Sequence, residues 1–253
     1  MRGRLRLGLV AAASISLAAG SALADEVSPA GAAPLQLSFA SPVQLVAEPR
    51  DVAGLRLTLF FGKNADVAGL DIAVGGTSSR AFTGVQLALF GNYVEGKAAG
   101  VQAGLFGNAA AHISGVQIGG LIANLAHEGG DGLQLGVSNV AGGKFNGVQI
   151  GLIGSVFRSD WTTLNFTGVQ IGAMNLVNGS VTGLQVGAFN AVNTKEGSFA
   201  GVQIGVLNIA GDCRGLQIGV VNSCSDMSGV QIGLINHISE GAIPWLPIVN
   251  AKF

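Results

Sequence analysis

A glycine-opened repeat of about 15 residues runs through most of the chain and constrains its fold more than any other feature. Counted from that glycine as position 1, the best units read Gly-(Val/Leu)-Gln-(Ile/Val)-Gly-x-φ-Asn, where φ is apolar. A short repeat of this regularity is typical of folds in which one structural unit stacks on the next. The 12 units open at Gly54, Gly69, Gly84, Gly100, Gly115, Gly132, Gly147, Gly168, Gly183, Gly201, Gly215 and Gly229.

Position 3 is the most uniform position after the glycine. The first two units have Arg56 and Asp71 there, which we interpret as a less regular N-terminal cap, because a stack must end against water. Every later unit has glutamine: Gln86, Gln102, Gln117, Gln134, Gln149, Gln170, Gln185, Gln203, Gln217 and Gln231.

Side chains alternate with period two inside each unit, which indicates a strand. Val169 and Ile171 point one way, and Gln170 and Gly172 point the other. We expect Val, Leu and Ile at positions 2 and 4 to form the buried stripe, and Gly at position 5 to let a backbone or a partner come close. Asn at position 8 marks the following turn.

Two all-β architectures are compatible with such units. In an antiparallel barrel, alternate strands end in different turns, so the period would be about 30 residues. Identical units of about 15 residues instead favour a β-solenoid of about 12 stacked coils, with Gln over Gln and Asn over Asn. The alternative is an outer-membrane antiparallel β-barrel or pore, because the alternating C-terminal residues that end at Phe253 resemble the signature of such proteins.

The N-terminal residues predict that the protein is exported. Three arginines, a short apolar stretch and an Ala-x-Ala pattern make residues 1–24 a secretory signal peptide of the Sec type. Residues 25–53 are expected to form a leader with N-terminal edge strands, and residues 54–253 the repeat domain, with a C-terminal cap from about residue 241. The predicted location is the outer membrane or cell surface, and otherwise the periplasm.

The amino-acid composition limits the classes of molecule that the protein is expected to bind. Without residues 1–24 the chain has 10 basic and 14 acidic residues, so nucleic acid is not an expected partner. The mean hydropathy of +0.52 is high, which predicts an apolar face that docks on a membrane, on another protein or on a second copy.

The repeat and the closing segment Pro244–Asn250, Pro-Trp-Leu-Pro-Ile-Val-Asn, resemble a known family. Over residues 54–253 the chain is similar to the surface-repeat proteins first named in spirochaetes and found across Gram-negative bacteria. That resemblance implies a place in the cell envelope, no settled biochemical activity and no catalytic residues.

No catalytic or phosphate-binding motif interrupts the repeat, so we predict no enzyme and no cofactor. Asp212, Asp226 and Glu240 share one position in successive units. Stacked carboxylates must splay into water, stay partly protonated or share a cation such as calcium, which makes them weak cation-site candidates. A carbohydrate-active enzyme that uses them is the least favoured function.

Two further features of the sequence are a candidate disulfide and a candidate interaction loop. Cys213 and Cys224 are expected to form a disulfide, since an exported chain with two cysteines favours one. The unit that opens at Gly147 has the longest insertion. Its candidate interaction residues are Phe157, Arg158, Trp161 and Phe166. The predicted function is therefore a non-catalytic structural or adhesive scaffold of the cell envelope.

Overall fold

The computed structural model describes residues 31–156, 164–192 and 197–253, and β-strands make up most of these ranges. Several strands are long because pairing continues around the bends of the coil. They are β1 (Ala33–Ala40), β2 (Val43–Gln44), β3 (Val52–Ala73), β4 (Gly76–Ala88), β5 (Gly91–Gly104), β6 (Gly107–Ala141), β7 (Phe145–Ile150), β8 (Ile153–Val156), β9 (Leu164–Ile171), β10 (Met174–Val177), β11 (Gly179–Val192), β12 (Ser198–Ile209), β13 (Asp212–Cys224), β14 (Asp226–Ile238) and β15 (Trp245–Lys252).

Successive coils pair in parallel with equivalent residues opposite each other. In β12 and β13, for example, Gln203 lies opposite Gln217 and Asn208 opposite Asn222. The fold is therefore a β-solenoid of about 13 turns, as the repeat predicts, and the antiparallel barrel is not the fold of the described residues. The stack begins one coil before Gly54, because β1 already pairs in parallel with β3. Residues Gly31–Phe253 form one compact unit.

Glycine at position 1 is required by both backbone shape and stacking. The φ angles of the 12 opening glycines lie between 119° and 152°, a region that other residues rarely adopt. A Cβ atom on Gly201 would also lie only 1.9 Å from the carbonyl oxygen of Gly183 in the preceding coil. A side chain in this column would therefore collide with the backbone of the preceding coil.

The inward and outward faces of the first strand are the reverse of the prediction from sequence. Glutamine at position 3 points inward and is at most 2% exposed, whereas the aliphatic residue at position 4 points outward; Ile204 is 39% exposed. Alternation correctly separates the two sets of side chains, but it does not decide which set is inside. A buried amide is tolerated here because the coils on either side supply its hydrogen-bond partners.

Two amide ladders fill this half of the interior. From Gln102 onward, each glutamine of this column donates through Nε2 to the glutamine of the preceding coil, at 2.6–3.0 Å. Asparagines donate through Nδ2 in the opposite direction, to the Asn of the following coil, at 2.8–2.9 Å. The members of the second ladder are Asn92, Asn108, Asn124, Asn139, Asn175, Asn190, Asn208, Asn222 and Asn236.

The glycine at position 5, which we expected to let a backbone or a partner come close, admits the backbone of the preceding coil. A Cβ atom on Gly187 would lie 2.2 Å from the carbonyl oxygen of Gly172, and also 2.7 Å from Asn175 Nδ2 and 3.3 Å from Asn190 Oδ1, inside the coil. The glycine therefore makes room for the neighbouring backbone and for the chain's own asparagines. The asparagine ladder has one gap, because Gly154 takes the place of an asparagine and leaves the buried Asn175 Oδ1 without a donor.

The N-terminal end of the glutamine ladder closes on a buried ion pair. Gln86 donates to Asp71, and Arg56 donates to both carboxylate oxygens of Asp71 through Nε and Nη2 at 2.8 and 2.6 Å. Arg56 and Asp71 are both 0% exposed, so they continue the inward column at position 3. Gln36 covers them from the first coil. At the other end, β15 turns back and pairs antiparallel with β14.

Apart from the buried Asn64 and Ser79 near the N-terminal end, the other half of the interior is apolar, and it holds two columns. One lies two residues before each opening glycine and includes Phe145, Phe166 and Phe199, all at most 1% exposed. The other lies two residues after the asparagine column and includes Val156 and Val192. Phe145 and Phe166 stack with their ring centroids 6.0 Å apart. These columns, rather than positions 2 and 4, supply the hydrophobic core.

Candidate interaction surface

With glutamine inside, four side-chain positions of every unit face outward: positions 2 and 4 on the first strand, and positions 6 and 7 after the bend that follows the fifth position. Across the 12 units these positions are apolar, apart from Gly75, Gly120 and Ser138. None of them is charged. We call the surface formed by positions 2, 4, 6 and 7 the apolar ridge.

The ridge is convex, because its residues at the bend protrude further than those on the strand. Ile204 at position 4 is 39% exposed and Val206 at position 6 is 53% exposed; in the last coil the values for Ile232 and Leu234 are 41% and 70%. Equivalent residues of adjacent coils lie about 4.8 Å apart. Each column is therefore a nearly continuous hydrophobic line along the whole stack.

A shallow groove of about 480 Å³ indents the ridge between positions 4 and 6. It is present because Ala103 stands where the coils on either side have Leu87 and Ile118, and because Gly120 has no side chain at position 6. The other lining residues are aliphatic, alanine or glycine. The groove therefore offers no side-chain hydrogen bond to a ligand, and its chemistry suits a hydrocarbon.

Charged side chains occupy the opposite side of the coil, between the asparagine column and the next opening glycine. Apart from the buried Arg56 and Asp71, this holds for every charged residue of the described repeat units. Arg80 donates to Asp66 of the preceding coil at 2.9 Å. That hydrogen bond is the main reason why the pKa of Asp66 lies below its ordinary value, although partial desolvation opposes it. The cross-section is thus amphipathic, with one apolar and one charged flank.

The predicted carboxylate column on this charged flank is only partly assembled. Asp212 and Asp226 lie opposite each other in register, but β14 ends at Ile238, and Glu240 lies in the turn toward β15. Lys252 of β15 donates to the Asp226 carboxylate and lowers its pKa. A lysine therefore takes the place that we assigned to a shared cation. The described residues contain no group of three metal-ligating side chains.

The contact between Lys252 and Asp226 also concerns the least favoured function, a carbohydrate-active enzyme. A glycosidase that uses two carboxylates needs one of them as a proton donor with a raised pKa. The pKa of Asp226 moves the other way, because Lys252 and the backbone N–H of Met227 both stabilise its charged form. The geometry therefore does not equip Asp226 as a proton donor.

Cys213 and Cys224 form a disulfide. Both are 2% exposed, and the bridge joins the two apolar columns across the interior of one coil. A cross-link at this buried position suits a structural role.

The predicted interaction loop divides into two parts. Phe157, Arg158 and Trp161 lie outside the described residues. Phe166 is 1% exposed and belongs to the apolar core, so its assignment to an interaction surface was wrong. It lies two residues before Gly168, the position that other units also fill with a buried side chain, and this spacing is the signal that could have identified it.

Comparison of the chain with protein-family models, with curated proteins and with solved structures finds no match. Among the described residues, no helix has the length and apolarity needed to cross a bilayer.

Proposed function

We propose that this protein is a non-catalytic scaffold of the bacterial cell envelope that binds an envelope component through its apolar ridge. The observation that carries the proposal is the ridge itself. Four hydrophobic columns lie on the outside of the stack, although inward positions were available to them. An exposed hydrophobic surface of this extent is typical of an interaction site.

The interior supports the same proposal. Amide ladders and apolar side chains fill it, so a ligand has the outer surface to bind to. The ladders also fix the register of every coil, and the outward side chains consequently form straight rows. A rigid, repetitive surface of this kind suits an extended partner better than a small substrate.

The signal-peptide pattern of residues 1–24 and the family resemblance of the repeat support the proposed location. To test it, the full chain is expressed in a Gram-negative host, fractionated, and its intact mass measured. We expect envelope-associated protein that lacks residues 1–24. A matched variant, Ala22→Leu with Ala24→Leu, should retain them, because cleavage needs small residues at these positions. Unprocessed wild-type protein in the cytosolic fraction would refute the proposal.

A further inference from the structure

We propose that the occupant of the apolar ridge is the hydrocarbon region of a lipid bilayer, and that the solenoid lies on the membrane with its long axis in the membrane plane. This inference deepens the proposed function by naming the chemistry of the envelope component. It depends on the shape, length and composition of the ridge.

Composition favours acyl chains over a protein surface. Protein interfaces carry about one hydrogen bond per 100–200 Å² and surround an apolar centre with polar residues. The ridge has neither feature along its length, since its one polar side chain is Ser138. Acyl chains need no hydrogen bonds and tolerate such a surface.

The length of the ridge determines how the solenoid is oriented relative to the membrane. The 12 units, at about 4.8 Å each, give a ridge of about 58 Å, roughly twice the 30 Å of a bilayer's hydrocarbon core. A stack that stood across the membrane would leave half of its apolar columns in water. A stack that lies flat brings all of them to the same depth and keeps the charged flank, with Arg80, Glu95 and Lys144, in the aqueous phase.

Shape and backbone pairing are consistent with that orientation. A convex ridge enters a fluid layer easily, whereas two copies of the same convex ridge meet only along a line. The N–H and C=O groups on the ridge pair between adjacent coils, as in the register of β13 with β14. The backbone therefore presents few unpaired polar groups to lipid, which is what hydrocarbon requires.

Flotation with vesicles of zwitterionic phosphatidylcholine tests the inference. The protein used is residues 25–253, which contains the compact unit, because residues 7–19 are apolar and would themselves bind lipid. We expect the protein to float with the vesicles equally at low and high salt, since no charge attraction is involved.

The decisive variant is Val206→Lys, Val220→Glu and Leu234→Lys, which places alternating charges on position 6 of three adjacent coils. We expect its partition coefficient to fall roughly tenfold or more. The matched control changes three stacked residues of the charged flank: Ala200→Lys, Arg214→Glu and Ser228→Lys. It should float like the wild type, and circular dichroism should show the same strand content in all three proteins.

Three results would overturn the inference. The wild-type protein does not float; or the ridge variant floats as well as the wild type; or the wild type forms a defined dimer in buffer that the ridge variant alone dissociates, which would make a second copy the occupant. Because flotation uses purified protein, these results leave the export proposal untouched, and a failure of export leaves the flotation result valid.

Discussion

The gap in the asparagine ladder at Gly154 gives a direct test of what the ladder contributes. We predict that Gly154→Asn stabilises the protein. Gly154 lies in β8, in register between Asn139 and Asn175. An asparagine there would accept from Asn139 Nδ2 and donate to Asn175 Oδ1, which has no partner at present. Five asparagines make the same two contacts with their neighbours: Asn108, Asn124, Asn190, Asn208 and Asn222.

The magnitude follows from the bonds gained. Two buried amide hydrogen bonds contribute about 0.5–1.5 kcal/mol each. Replacing glycine in a strand adds up to about 1 kcal/mol by restricting the unfolded chain. A Cβ atom at Gly154 would lie 3.3 Å from Asn175 Oδ1, so that side chain must shift slightly, which offsets part of the gain. We expect a net increase of about 2 kcal/mol in the free energy of unfolding.

Thermal unfolding followed by circular dichroism measures the effect, and about 2 kcal/mol corresponds to roughly 4–8 °C in a protein of this size. Gly154→Ala supplies the Cβ without the amide and should stay within about 1 kcal/mol of the wild type. Gly154→Asp has the shape of asparagine but no donor, and it buries a charge, so it should be less stable than the wild type. If Gly154→Asn is no more stable than Gly154→Ala, the reasoning about the ladder is wrong.

Three further predictions concern other columns. Gly201→Ala should cost more than about 3 kcal/mol, because its Cβ would overlap a carbonyl oxygen of the preceding coil; urea unfolding measures this, and a loss below about 1 kcal/mol would contradict it. Asp71→Ala should cost about 3–5 kcal/mol by leaving Arg56 buried and unpaired, whereas Arg56→Gln with Asp71→Gln extends the glutamine ladder and should restore most of the stability. Equal losses in the single and double variants would refute this. Replacing Cys213 and Cys224 by serine should cost about 3 kcal/mol, and an unchanged urea midpoint would show that the bridge adds nothing.

Much of the fold could be predicted from sequence, because equivalent residues in a parallel stack lie above one another. The spacing of the opening glycines therefore gives the register directly, and position 3 gives one complete ladder. The first coil is predicted only as edge strands and not as a member of the stack, because its equivalent of the repeat, around Gln36, lacks the opening glycine. Asn92, Asn108 and Asn124 were missed because their bends contain one or two extra residues, which move each asparagine from the eighth position to the ninth or tenth.

The location of the core could not be predicted from alternation alone. Hydrophobic side chains usually face inward, and this expectation placed Val and Ile of positions 2 and 4 inside. The structure reverses it because Gln and Asn lie directly above their own kind, so the stack supplies hydrogen-bond partners for most of the buried amide atoms, with Asn175 Oδ1 among the exceptions. The true core residues, such as Phe199 and Val192, lie on the less regular part of the repeat, where insertions obscure the pattern.

The repeated hydrogen bonds of the two amide ladders affect how easily such a chain can gain or lose a coil. Away from the gap at Gly154, every interior coil receives a hydrogen bond from one neighbour and gives one to the other in each ladder, so a coil inserted there finds the same partners as the coils beside it. The two ends are chemically distinct from these coils: Asp71 accepts the last bond of the glutamine ladder, and β15 covers the final coil. Duplication of one whole unit in the gene should therefore lengthen the protein without a compensating mutation, while loss of either end should be poorly tolerated.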